Sequence, residues 1–303
     1  MKSAVALFLC ATLTLTLLAA DAPTRPKILG LSHVALAVHD LDRSRAFYKD
    51  FLGFQEPYSL TNETGHLTWT WIKINDHQTI ELFPEKEPGT DRLDHVAFET
   101  DDVQAMRDYL QSRGIAVPPK VAKSGIGDAY FTVKDPDGHT IEFTQYLPDG
   151  WTMLNRGKSM PDNRISTHLA HAGILVSNVE AAQKFYEDIL GFHEVWRGGK
   201  TPNQLSWIHE QVPDGKDDLE FMLYSTLPAP DRRGSYHHLC LEVPDIEQAK
   251  TFLEQRPARM SYDRPLEIHT GVNRKRQLNL YDPDGTRVEL MEPKTVDAVP
   301  PPR

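Results

Sequence analysis

The sequence predicts an α+β protein assembled from four tandem βαβββ modules, two in each half. Three observations carry this. HVALAVHDLDRSRAFYKDFLGF, from His33 to Phe54, returns at His171–Phe192 as HAGILVSNVEAAQKFYEDILGF without a gap. A weaker echo follows in each half, DHVAFETDDVQAMRDYLQSRGI from Asp94 and HHLCLEVPDIEQAKTFLEQR from His237. In all four copies a histidine stands seven residues before a capping residue: His33 and Asp40, His95 and Asp102, His171 and Asn178, His238 and Asp245. A match of that length at a fixed offset marks a duplicated unit. The chain's 303 residues suit about two domains of roughly 150 residues.

The elements follow in chain order. Residues 1–20 read as a secretory signal peptide: Lys2, an apolar run from Ala4, then the small residues Ala19 and Ala20 before Asp21. The expectation is an exported protein, periplasmic or secreted, with no membrane association after cleavage; an uncleaved anchor is the alternative. The first domain is expected over 29–147, a linker over 148–166, the second domain over 167–293 and a tail over 294–303. Each module opens on a strand of period two, with Val34, Leu36 and Val38 on one face and His33, Ala35 and Ala37 on the other. A helix follows, capped by Asp40 or Asp42, carrying Leu41, Phe47 and Phe51 at helical spacing and stopped at Gly53. Three extended runs complete the module, in the first copy Phe54–Tyr58, LTWTWIKI and QTIELF. In the second copy the first run is faint, near Val117, and DAYFTV and HTIEFTQY are clear. The DPDG stretches at Asp135 and Asp282 have Pro and Gly where a tight turn needs them; the ligand spacing of a calcium loop is missing.

A net charge of -10 and the lack of a basic stripe argue against nucleic acid as a partner. With Cys10 in the leader, the mature chain keeps only Cys240, inside the apolar run HLCLEV, and reads as a buried, inert thiol.

Beside each module's histidine the same strand face bears small residues: Ala35 and Ala37, Ala97, Gly173, Cys240. The histidine therefore looks into a hollow. Each module's last strand places one glutamate between bulky apolar neighbours: Glu81, Glu142, Glu220 and Glu289. Alternation turns that glutamate away from the core its neighbours fill. Two facing modules would gather two imidazoles and two carboxylates, a shell suited to Zn, Ni, Mn or Fe(II). Without a cation, paired carboxylates are costly.

The pattern of His, Asp, FY, LGF and DPDG-x3-E resembles the vicinal oxygen chelate superfamily, which includes glyoxalase I, extradiol dioxygenases and bleomycin-binding proteins. The resemblance covers about Leu29 to Pro293. It implies modules paired into two open, cup-like mixed sheets with helices outside. It implies metal ligands His33, Glu81, His95 and Glu142 in half one, and His171, Glu220, His238 and Glu289 in half two. Pairing within or across halves stays open. Glu142 and Glu289 would be the catalytic bases of a glyoxalase-like lyase or isomerase, moving a proton through an enediolate-like species. The substrate would be a small molecule held through vicinal oxygens, and the protein a monomer or homodimer.

Two alternatives stand beside this. An extradiol ring-cleavage dioxygenase would use His171, His238 and Glu289, but the tyrosine expected ten residues before the metal glutamate is replaced by Asn279, and by Thr132 in half one. A metal-free binding protein would sequester its ligand between Trp69, Trp71, Trp196 and Trp207.

Overall fold

The computed structural model describes residues 23–299. The expected leader, 1–20, lies outside them. Half one contains strands β1 (Ile28–Val38), β2 (Gln55–Thr61), β3 (Leu67–Lys73), β4 (Thr79–Pro84), β5 (Leu93–Thr100), β6 (Ala122–Lys123), β7 (Ala129–Lys134) and β8 (Thr140–Gln145). Half two repeats them as β9 (Leu169–Val176), β10 (His193–Gly198), β11 (Trp207–Gln211), β12 (Asp218–Leu223), β13 (His238–Glu242), β14 (Ile268–Thr270), β15 (Lys275–Tyr281) and β16 (Arg287–Thr295). Each half is one eight-stranded mixed sheet, ordered β2-β3-β4-β1-β5-β8-β7-β6 and β10-β11-β12-β9-β13-β16-β15-β14. The two modules of a half join through the antiparallel pairs β1–β5 and β9–β13. Pairing is thus within halves.

The helices sit where the caps require. Asp40 accepts the Arg43 N–H at the start of α1 (Leu41–Ala46), Asp102 serves α2 (Val103–Ser112), Asn178 serves α4 (Val179–Gln183) and Asp245 serves α5 (Ile246–Glu254). After α1 and α4 the chain widens into π-helical turns, Phe47–Phe51 and Lys184–Ile189, which period counting does not foresee. Gly53 and Gly191 end them at φ 84° and 79°. These turns point Tyr48 and Tyr186 across the molecule: Tyr48 Oη donates to Asp282 (3.4 Å) and Tyr186 Oη to Asp135 (3.0 Å). Both acceptors belong to the DPDG turns of the opposite half. A second reciprocal pair lies where β1 meets β9. Asp217 accepts the Leu31 N–H (2.7 Å), Gln78 accepts the Leu169 N–H (2.8 Å), and Gln78 donates to Asp217 (3.1 Å). The halves share one apolar core, with Phe98 edge-on to Phe192 and Phe51 stacked on Tyr262.

Three details depart from expectation. The faint strand of module two lies at Ala122–Lys123, not near Val117. β16 continues to Thr295, two residues into the expected tail. The stretch read as linker carries a helical turn, α3 (Trp151–Leu154). Among the described residues no helix is long and apolar enough to cross a membrane.

Candidate metal centres

Strand register explains how the histidines and glutamates meet. Ala35 pairs with His95 on one side and Glu81 on the other, and Ala97 pairs with His33 and Glu142. Side chains at paired positions share a sheet face, so two imidazoles and two carboxylates ring two alanines. In half two the alanines become Gly173 and Cys240, which pair with His238 and Glu220, and with His171 and Glu289. All eight side chains named from the sequence are buried, each 8% exposed or less.

In half one His33 Nε2 lies 2.9 Å from His95 Nε2 and 3.6 Å from an oxygen of both Glu81 and Glu142. His95 Nε2 lies 3.9 and 3.7 Å from those carboxylates. In half two His171 Nε2 is 3.1 Å from His238 Nε2, 3.5 Å from Glu220 and 3.3 Å from Glu289, and His238 Nε2 is 2.8 Å from Glu220. Ligands about 2.1 Å from one ion sit roughly 3.0–3.4 Å apart. The half-two distances scatter around this spacing, from 2.8 Å to the 3.7 Å between His238 Nε2 and Glu289, and all four ligand atoms lie mutually within 4.8 Å. In half one His33, Glu81 and His95 lie mutually within 4.8 Å, and Glu142 is as near to both imidazoles as Glu81 is. Two His and two Glu leave an octahedral ion two open positions, enough for a pair of neighbouring oxygens.

Outer contacts aim the imidazoles. In half one a relay fixes His33: Nδ1–H donates to Ser32 Oγ (3.0 Å), Ser32 donates to Tyr146 Oη (2.6 Å), and Tyr146 donates to the His77 carbonyl (2.6 Å). His95 Nδ1–H donates to Asp94 (2.7 Å). Both Nε2 lone pairs are thereby turned inward. Glu81 is steadied by two indoles, Trp71 Nε1 at 2.6 Å and Trp69 Nε1 at 3.2 Å.

The two sets hold their protons differently. Burial pushes the Glu81 carboxyl up to about 7, against opposing pulls from His95 and the two indoles. Burial, with the Glu81 charge added, pushes Glu142 up to about 8. His33 falls well below its usual value through burial and the neighbouring His95. In half two burial also disfavours charge, but hydrogen bonding to His171 and the charge of Arg287 outweigh it and hold Glu289 at about 2. His171 lies well above its usual value because Cys240, Glu220 and Glu289 outweigh burial.

Half one holds a cavity of about 390 Å³, walled by Trp69, Trp71, Phe83, Tyr130 and Trp151. Trp151 comes from the stretch read as linker. Asp128 ties that stretch down by accepting from Leu147 N–H and Thr152 Oγ1, and Lys73 Nζ donates to the Asn155 carbonyl. Its poverty in apolar residues hid a structural wall. A second residue escaped notice, His209 on β11. It sits opposite Glu220, where half one has Trp71 opposite Glu81. Its ring centroid is 5.0 Å from that of His171, and its Nδ1 is 3.5 Å from Asp218. Setting Trp69-x-Trp71 beside Trp207-x-His209 would have exposed it.

A family model, the Glyoxalase/Bleomycin resistance protein/Dioxygenase superfamily, matches residues 30–143 and 168–290. The chain belongs to that superfamily. The match spans both sheets and contains all eight ligand candidates. A lactoylglutathione lyase of Schizosaccharomyces pombe is 22% identical over 87% of this chain and 96% of its own. A probable lactoylglutathione lyase of Synechocystis is 31% identical over 38% of this chain and 94% of its own. Among solved structures, an extradiol ring-cleaving dioxygenase from B. fuscum superposes with TM-score 0.66 at 21% identity, covering 90% of this chain and 73% of that one. A Mn(II)-bound glyoxalase from Novosphingobium aromaticivorans also reaches 0.66, at 18% identity, covering 88% and 83%. At such identities the structures share the superfamily's fold.

Gly173 gives a direct check on the half-two centre. A Cβ there would lie 1.9 Å from His238 Cε1 and 2.1 Å from its Nδ1. Gly173→Ala is expected to push His238 out of the ligand set and to cost about 1–3 kcal/mol of stability through overpacking. Metal content per chain and thermal melting check both effects.

Proposed function

We propose that this protein is a metal-dependent lyase or isomerase that moves a proton on a small substrate gripped through two neighbouring oxygens. The observation that carries the reading is the second carboxylate in each set: Glu220 stands with Glu289, and Glu81 with Glu142. A ring-cleaving triad of two His and one Glu has no use for it, whereas proton transfer needs a carboxylate beside the reacting carbon. His33, Glu81, His95 and Glu142, and their counterparts His171, Glu220, His238 and Glu289, would hold Zn, Ni, Mn or Fe(II). The ion would polarise the substrate oxygens and acidify the adjacent C–H. Glu142 and Glu289 take the proton and return it to the neighbouring carbon. A carboxyl poised near neutrality, as burial makes Glu142, suits both steps. The aromatic wall of half one excludes water from the transfer. The N-terminal apolar run supports export of the mature enzyme.

Hydrogen exchange tests the proposal. Hydroxyacetone in deuterium oxide is expected to lose its C–H proton signal in the presence of metal-loaded protein. The double variant Glu142→Gln and Glu289→Gln is expected to slow this by about a hundredfold or more, with bound metal measured in parallel. Undiminished exchange in a double variant that keeps its metal sinks the proposal. His209 favours a second reading, since it supplies beside His171 a proton-handling group that Asn279 cannot. Oxygen consumption with catechol by the Fe(II)-loaded protein, lost in His209→Phe, would select ring cleavage instead.

A further inference from the structure

Half two carries a positive charge that half one lacks. Arg287 pairs with His238 in parallel register, and Thr140 holds the matching place beside His95. The Arg287 side chain therefore rises on the face that bears His238 and, two residues on, Glu289. It forms no ion pair among the described residues, and its Nε is buried without a hydrogen-bond partner. Nη2 lies 2.8 Å from His238 Nδ1, but that same Nδ1 is 2.9 Å from the Tyr236 carbonyl. A His238 that turns its Nε2 lone pair inward keeps its proton on Nδ1 and gives it to Tyr236. Nδ1 then has no lone pair for Arg287, and the guanidinium is left without an acceptor. Asn279, paired with Glu289, has a buried Oδ1 that is also unpartnered. Both residues line one cavity of about 280 Å³ beside the ligand set.

Charge counting gives the ligand's sign. Glu220 and Glu289 neutralise a divalent ion, and Arg287 adds one positive charge. Farther out, a neighbouring cavity gathers Lys216 and Lys275 with Asp218 and Glu242, and Glu292 there is ion-paired with Arg276, so that region adds no net positive charge. Half one has no counterpart to Arg287, and Lys73 there is spent on Asp76 at 2.7 Å. A half-buried guanidinium whose Nε is cut off from water without an acceptor is costly until an anion arrives, and its planar fork matches a carboxylate.

We infer that half two selects a small carboxylate-bearing substrate, an α-hydroxy or α-oxo acid, whose anionic group is anchored by Arg287. This deepens the proposed function by naming the substrate class of one of its two sites. Arg287 is a specificity residue here, and the transferred proton stays with Glu289.

The probes are glycolate and its uncharged analogue hydroxyacetone. Each is titrated into Mn(II)-loaded protein carrying His33→Ala and His95→Ala, which silence half one. Glycolate is expected to bind at least about tenfold more tightly than hydroxyacetone, and Arg287→Gln to remove that advantage. Arg287→Lys should keep part of it, and manganese content should not change. Equal weakening of both probes, no weakening of either, or loss of manganese in Arg287→Gln overturns the inference. Should the unmutated protein take up no metal, the chelate reading fails by itself. Glycolate is then titrated into the metal-free protein, followed by tryptophan fluorescence. A response that Arg287→Gln abolishes upholds the anion site, and one that it leaves intact refutes it.

Discussion

His171→Ala is expected to lower bound divalent metal by one ion per chain while half one stays loaded. His171 is central to its set: its Nε2 lies within 3.5 Å of His238, Glu220 and Glu289, whereas His238 Nε2 is 3.7 Å from Glu289. Losing an outer-sphere partner of a ligand costs about 10–100-fold in affinity, so losing the ligand itself should cost at least the upper end. His33→Ala should do the same to half one. The double variant should hold none and should have lost the proton exchange. Elemental analysis after dialysis, with melting curves to confirm folding, reads this out. An undiminished metal content in the double variant would mean that these imidazoles hold no ion, and the fold would then be serving as a binding cup.

Much of this centre was legible because strand periodicity is simple. Once His33 and Val34 are assigned to opposite faces, Ala35 and Ala37 must share the histidine's face, and small side chains there leave room for a ligand. The same alternation turns Glu81 away from the core that Ile80 and Leu82 fill and onto the face of the histidines. Register was not legible. Only the structure sets Ala35 between His95 and Glu81, because strand pairing depends on contacts far apart in sequence. The Trp151 wall was missed for a related reason: its anchors, Asp128 and Lys73, are tertiary partners that leave no periodic trace. Arg287 was passed over because an arginine near a strand's start most often faces water. Its meaning comes from what it lacks, an acceptor, and that appears only when the neighbours are known.

Metal uptake by half one is expected to strengthen steeply between pH 6 and 8, and more steeply than uptake by half two. The reason lies in where the protons sit before the ion arrives. Burial raises Glu81 to about 7 and Glu142 to about 8, and Asp94, Glu142 and Glu81 outweigh burial to raise His95, so near pH 6 an incoming cation must displace a proton from each carboxyl and from His95. Each displaced proton gives up to about a tenfold gain in affinity per pH unit. The two carboxyls alone give a gain from pH 6 to 8 of roughly 500-fold, and the His95 proton adds to it. In half two Glu289 is held at about 2 and Glu220 well below its usual value. The carboxylates there are already ionised, and only the raised His171 has a proton to lose. Half two should therefore climb by at most about tenfold per pH unit. Stability gives an independent check with a defined sign. A carboxyl whose folded value is raised contributes stability that is complete below its unfolded value of about 4.5 and lost as pH rises through about 7 for Glu81 and 8 for Glu142. The metal-free protein should weaken across that window, while bound metal compensates the emerging charges. The gap in melting temperature between loaded and metal-free protein should widen from pH 6 to 8. Chelator-buffered titrations at pH 6, 7 and 8, with one half silenced at a time, measure the affinities. A half one whose affinity is flat with pH would show that Glu81 and Glu142 do not carry the displaced protons, and that the ion, if bound, is held by imidazole alone.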